Sequence, residues 1–397
     1  MLDNILTEHR RLGLYYVGDK TFISKSDALI FASKTNSAIY WDFNDDVFSK
    51  IDWRIPIETS LQELYRQRAQ QLRDKYDYLS LFFSGGVDST NVLHSFIDNN
   101  IFLDEIVMYR PSTFASSSNK IDKTPKNVYS EIEFAAIPHL QKYLKDPRTV
   151  VRIIDVDSAT EELFNSEQLV SQFCTLNNMG TTPVAKIAMC VTDKIWRSLH
   201  DAGKKVAHIH GIDKPILSVN DGQYSFQFED STMSFNFESS LLSADAERLK
   251  LHQYHEFFYW TPDLPQLVIK QCQVVKSVCN NDFIFKLLFV NSMYSSQEKF
   301  MSIIHHIYPP HVNAVRQLFA TTKTTTGLLA GQGLWFYEIM NTTINGQFID
   351  MVKHTRNNIN DEFFATPKTY YVSETSKFDQ PTPKNSIRLF KSKKYIL

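Results

Sequence analysis

The chain has 397 residues, a formal net charge of −2, and 43% hydrophobic against 22% charged residues. The near-neutral balance excludes a global electrostatic attraction to nucleic acid, leaving only a local basic face open, and no apolar run approaches the ~20 residues of a membrane span. Four cysteines without a CxxC pair or zinc spacing, and an opening Met1-Leu2-Asp3-Asn4 without a charged-then-apolar pattern, predict a reduced cytoplasmic protein of two or three domains.

Residues 1–57 read as a small α+β segment, with strands at Leu14–Val17 and Ala38–Trp41 around a short helix near Ser26–Ala32. Ser60 and Glu63 then form an S-x-x-E capping box, and Leu61, Leu64, Tyr65, Ala69 and Leu72 repeat at helical spacing. From Tyr78 strands alternate with helices. Apolar runs at 78–83, 105–109, 150–156 and 206–210 are separated by helical stretches at 91–99, 128–144 and 184–200. Pro138 should kink or split the second of these. The polar stretch 110–127 is long for a loop, either a mobile lid or disordered. The alternation predicts an α/β domain over 58–220, built on a doubly wound, mainly parallel sheet.

Over 221–397 the pattern changes. Tyr224, Phe226 and Phe228 alternate with polar residues, as do Met233, Phe235 and Phe237, so a hairpin is expected around Glu229–Thr232. Helices follow at 264–278, 283–290, 295–307, 312–320 and 334–341. The closing stretch with Lys391, Lys393 and Lys394 reads as a peripheral tail.

The densest chemical signal is Ser84-Gly85-Gly86-Val87-Asp88-Ser89-Thr90, between the strand at 78–83 and the next helix. Two glycines let backbone approach an anion closely. The first N–H groups of a helix lack intrahelical partners, and its dipole favours negative charge there. Ser84, Ser89 and Thr90 add hydroxyl donors. Asp88 alone would repel phosphate, and Mg²⁺ between the carboxylate and the phosphates removes that conflict. Gly211-Ile212-Asp213-Lys214-Pro215 follows the fourth strand, at the carboxyl edge where open α/β sheets bind ligands. There Asp213 offers a metal ligand and Lys214 a phosphate partner, against the plainer reading of a solvated turn before Pro215.

Residues 84–90 resemble the SGGxDS pyrophosphate loop of the N-type ATP pyrophosphatases, the PP-loop superfamily of asparagine, NAD and GMP synthetases and several tRNA-modifying enzymes. The general look of the chain is similar to asparagine-synthetase-like proteins of phage genomes. The resemblance covers about a third of the chain and implies an adenine nucleotide alpha hydrolase-like fold. It further implies that ATP is cleaved between the α and β phosphates, with a substrate oxygen adenylated and then displaced by an amine or ammonia. By position, Ser84, Gly85, Gly86, Val87, Ser89 and Thr90 would grip pyrophosphate. Asp88 and Asp213 would place Mg²⁺, and Met108 and Gly211 would flank the nucleotide. Lys214-Pro215 departs from the acidic ending of the asparagine-synthetase loop, and Leu2 stands where full asparagine synthetases carry a nucleophilic cysteine. The chain is therefore expected to use free ammonia, a partner glutaminase or an amine carried by its substrate. Nucleobase or tRNA modification and a non-catalytic nucleotide-binding module are the alternative readings.

Three further features stand out in the sequence. Tyr254–Asp263 is dense in aromatics around His255, Glu256 and Asp263, read as core packing ahead of a substrate pocket. His208 and His210 are expected to put one imidazole on each face of their strand, which argues against a shared metal. The cysteines are expected to be buried small hydrophobes.

Overall fold

A computed structural model describes residues 10–22, 25–110, 132–155, 196, 198–199, 201–211, 215, 217–230, 253–283, 286–287, 303–312, 360–363 and 390–397. Near the N-terminus, β1 (Leu14–Val17) pairs antiparallel with both β2 (Lys20–Phe22) and β3 (Ile39–Asp42), and α1 (Lys25–Thr35) connects the outer two. A short helix, α2 (Asp45–Phe48), follows. The side-chain oxygen of Ser60 accepts the Glu63 N–H at 3.2 Å and so starts α3 (Leu61–Lys75). Such a cap stabilises by ~1 kcal/mol. Only half of the expected capping box forms, because the Glu63 carboxylate turns to Arg66 and Gln67 instead.

The next strand, β4 (Tyr78–Phe82), runs through the loop at 84–86 into α4 (Val87–Ile97). It lies at the centre of a five-stranded sheet with β5 (Glu105–Arg110), β6 (Val150–Asp155), β7 (Val206–His210) and, later in the chain, β10 (Gln253–Phe257). Every pairing in the sheet is parallel, and the spatial order is β10-β7-β4-β5-β6. With the strands counted along the chain this is 5-4-1-2-3, the order of a Rossmann-type α/β sheet. Strand β7 is buried at all five positions, as a strand covered on both faces must be. Before β6, a π-helical turn (Ile132–Ala136) passes into α5 (Ile137–Tyr143), with Pro138 in its first turn. Pro138 therefore divides the stretch, because its ring cannot follow a regular helical turn.

The aromatic run after residue 253 forms the fifth parallel strand, where the sequence pattern had suggested mainly helix. Helix α6 (Gln266–Asn281) matches the expected 264–278 with a longer C-terminal end. In place of the hairpin expected around Glu229–Thr232, both edges of the 223–226 run pair with other segments. Strand β9 (Gln223–Phe226) pairs antiparallel with β8 (Ser218–Asn220) across the Asp221-Gly222 turn, where both residues have positive φ. Asx-Gly at such a turn matches the twist of a two-residue hairpin. The run 233–237 lies outside the described residues, as do 111–127, 334–341 and nearly all of 312–320.

The closing stretch is not peripheral. Strand β11 (Tyr395–Ile396) adds to β9, and Tyr395 stacks on Trp53 with ring centroids 4.6 Å apart. Its three lysines face solvent while Tyr395 and Leu397 are buried, so apolar anchoring outweighs the charged composition. One hydrophobic core runs without a break from Leu12 through the N-terminal sheet, α3, β4 and α6 to Leu397.

Candidate functional site

From β4 the chain proceeds to β5 and β6 on one side, then returns to β7 and β10 on the other. The carboxyl ends of β4 and β7 therefore bound the point at which strand order reverses, where open α/β sheets leave a crevice. The loop at 84–86 leaves β4 on one side of this crevice, and Gly211 leaves β7 on the other.

Both glycines are required by close approach. Gly85 has φ +77°, and a Cβ there would lie 2.7 Å from the Ala136 backbone nitrogen. A Cβ on Gly211 would lie 2.9 Å from Ser89 Cα. Backbone cannot yield as a flexible side chain does, so Gly211→Ala is expected to destabilise by about 1–3 kcal/mol. Denaturant titration reads this as a lower midpoint; an unchanged midpoint would mean that β7 and α4 separate freely.

Within the loop, the Gly86 N–H donates to Ser84 Oγ at 3.2 Å, Ser89 Oγ donates to the Gly86 carbonyl at 3.1 Å, and the two serine hydroxyls stand 3.3 Å apart. Gly86 is the N-cap of α4 and gives it no side-chain cap. The first-turn N–H groups of a helix lack intrahelical partners, and here serine hydroxyls lie beside them, an arrangement suited to an anion. Thr90 does not share this role. Its side chain is fully buried, and its N–H is taken by the Gly86 carbonyl at 2.9 Å.

Asp88 lies half-exposed in the first turn of α4. The Tyr308 hydroxyl donates to its Oδ1 at 2.6 Å, and the Tyr259 hydroxyl donates to its backbone carbonyl at 2.8 Å. Burial, followed by the nearby Asp88 charge, raises the Tyr308 hydroxyl well above its ordinary pKa and keeps it a donor. Neither tyrosine was singled out from the sequence. Tyr259 stood inside the aromatic run, whereas Tyr308 carried no local signal.

Met108 is buried in the sheet, paired with Ile153. The Phe83 N–H bonds the Val107 carbonyl at 2.9 Å, so the Met108 backbone lies beside the start of the loop. Asp213 and Lys214 fall outside the described residues. The oxygen set of Ser84, Asp88 and Ser89 beside helix N–H groups fits a nucleotide's phosphates with Mg²⁺, a hard cation that takes carboxylate and hydroxyl oxygens.

The expected opposition of His208 and His210 is overturned. Side chains on a strand repeat every two residues, so both lie on one face. His210 stacks on Phe82 at 4.6 Å and its Nε2 is 2.9 Å from His255 Nδ1, while His208 packs on Trp196 at 4.2 Å. Burial lowers the His210 pKa to about 3, leaving the ring neutral near pH 7.

Two of the ionisable groups of 254–263, Glu256 and Asp263, belong to one ion cluster. Glu256 is buried against Arg68 at 2.7 Å, Arg11 at 3.0 Å and Lys75 at 3.2 Å, with Tyr76 also donating to it. Asp263 joins the same cations. Cys272 and Cys279 are free and buried, and burial raises both thiols. Among the described residues no helix is long and apolar enough to cross a membrane. No protein-family model and no curated protein matches the chain.

Proposed function

We propose that the chain is an ATP-dependent carbon–nitrogen ligase of the asparagine-synthetase-like PP-loop type, forming AMP and pyrophosphate. The observation that carries this reading is the seating of Ser84–Ser89 at the strand-order reversal, held by Gly211 against Ser89. A substrate oxygen, from a carboxylate or carbonyl, attacks the α-phosphorus of ATP. The bond from the α-phosphorus to the bridging oxygen breaks and pyrophosphate departs. An amine or ammonia nitrogen then displaces AMP, losing a proton to solvent or a nearby base.

The chain's own residues supply the leaving-group side of this reaction. The N–H groups at the start of α4 and the hydroxyls of Ser84 and Ser89 receive the β and γ phosphates. Gly85 and Gly86 let the backbone come within hydrogen-bond range. Asp88, oriented by Tyr308, would hold Mg²⁺, which offsets charge on the departing pyrophosphate.

Product analysis tests the reading. Incubation with Mg²⁺ and α-labelled ATP across a panel of carboxylic acids, amines and nucleobases should yield labelled AMP and an equal amount of pyrophosphate. Labelled ADP would overturn it, and nucleotide binding without turnover on every substrate would favour a non-catalytic module.

A further inference from the structure

A second group of ligand-type side chains lies about two turns along α4 from the loop. His94 and Asp98 are four residues apart at the end of this helix, a spacing that puts both on one face. His94 Nδ1 lies 3.0 and 3.1 Å from the two Asp98 carboxylate oxygens. From a distant part of the chain, His311 brings its Nε2 to 3.0 Å from Asp98 Oδ2. One ligand atom from each of the three residues lies within 4.8 Å of the others. A tetrahedral zinc ion with bonds of about 2.0–2.1 Å sets its ligand atoms roughly 3.3 Å apart, so small side-chain shifts would close the set.

Two further observations suit a cation at this position. Asp98 caps the C-terminal end of α4, where the helix dipole is negative and nearby positive charge is favourable. His94 Nε2 faces His139 Nε2 at 2.8 Å. His94 Nδ1–H can donate to Asp98 as the ring stands; an ion there would displace that proton, and His139 would then be the outer partner that holds the ring in place. The His94 side chain is 2% exposed, whereas Asp98 and His311 are 45% and 38% exposed, so the position opens to solvent on one side.

We propose that His94 Nδ1, Asp98 and His311 Nε2 bind a divalent transition-metal ion of the zinc class, with His139 as the outer partner of His94 and water completing the coordination. Two imidazoles and one carboxylate suit Zn²⁺ better than Mg²⁺ or Ca²⁺, which prefer all-oxygen sets. The ion would clamp α4 to the segment 303–312. That segment also carries Tyr308, the residue bonded to Asp88. The clamp stands on its own ligands and does not depend on any reaction in the crevice.

Calorimetric titration of the full chain with Zn²⁺, in a non-chelating buffer near pH 7.5, is expected to show one saturable equivalent, and Zn²⁺ should raise the thermal midpoint. Co²⁺ should give visible d–d bands at the same stoichiometry. His311→Ala and Asp98→Asn change half-exposed positions and should leave the fold intact. Each is expected to lower Zn²⁺ affinity by about 10-fold or more. Asp88→Asn should leave Zn²⁺ affinity unchanged, which separates this site from the crevice. No saturable binding, or binding as tight in both ligand variants as in the parent, would overturn the proposal and leave a hydrogen-bonded triad.

Discussion

Asp88→Asn is expected to lower pyrophosphate release from ATP on the order of 100-fold or more while the protein stays folded. Asparagine keeps the size of the side chain and can still accept from Tyr308, so the packing of α4 persists. What disappears is the negative charge that would hold Mg²⁺ against the departing phosphates. A 100-fold loss corresponds to about 2.7 kcal/mol of transition-state stabilisation. The competing explanation for Asp88 is a favourable charge at a helix N-terminus, worth about 0.3–1 kcal/mol of stability. The two differ in where the loss appears. A Mg²⁺ role lowers turnover at constant unfolding midpoint, whereas a dipole role lowers the midpoint at constant turnover. Parental turnover in the purified variant would refute the assigned role.

Glu256→Ala is expected to be the most destabilising single change in the described structure, by about 3–5 kcal/mol in equilibrium denaturation. Burial alone would raise the pKa of Glu256, but Arg68, Arg11 and Lys75 together outweigh it and hold the carboxyl far below the usual range. Removing the carboxylate leaves Arg68, whose side chain is fully buried, without its 2.7 Å partner. The pH dependence follows in sign. A depressed carboxyl pKa contributes stability that is complete above the unfolded value of about 4.3 and is lost as pH falls below it. The parent should therefore lose stability progressively below about pH 5, and the variant should lose less over the same range. Parallel acid-unfolding curves for the two proteins would show that the cluster is not coupled to folding.

The buried pairing also explains why this part of the chain was hard to read. In sequence, His255, Glu256 and Asp263 stand among aromatics and fit core packing ahead of a substrate pocket, with no sign of which groups would neutralise them. Their partners Arg11, Arg68 and Lys75 come from far earlier in the chain, and no local pattern links them. For the same reason Gln253–Phe257 was not recognised as a strand. A short apolar run declares itself a buried strand only when a neighbour such as Val206–His210 is in place beside it. The paired histidines of β7 are a different case. The two-residue strand period by itself puts His208 and His210 on one face, so this feature is local and needs no tertiary contact.

By itself the sequence determined the alternation of strands and helices, the start of α3 at Ser60, the division at Pro138, and the Gly-Gly turn joining β4 to α4. Each of these is set by caps, breakers and periodicity within a few residues, where backbone sterics act alone. Only the tertiary structure decided that β10 completes the sheet, that Gly211 must stay bare against Ser89, that Tyr308 reaches Asp88, and that His311 meets His94 and Asp98. Those contacts join residues far apart in the chain. They form because burying the shared core brings the segments together, and that packing leaves no signature in local sequence.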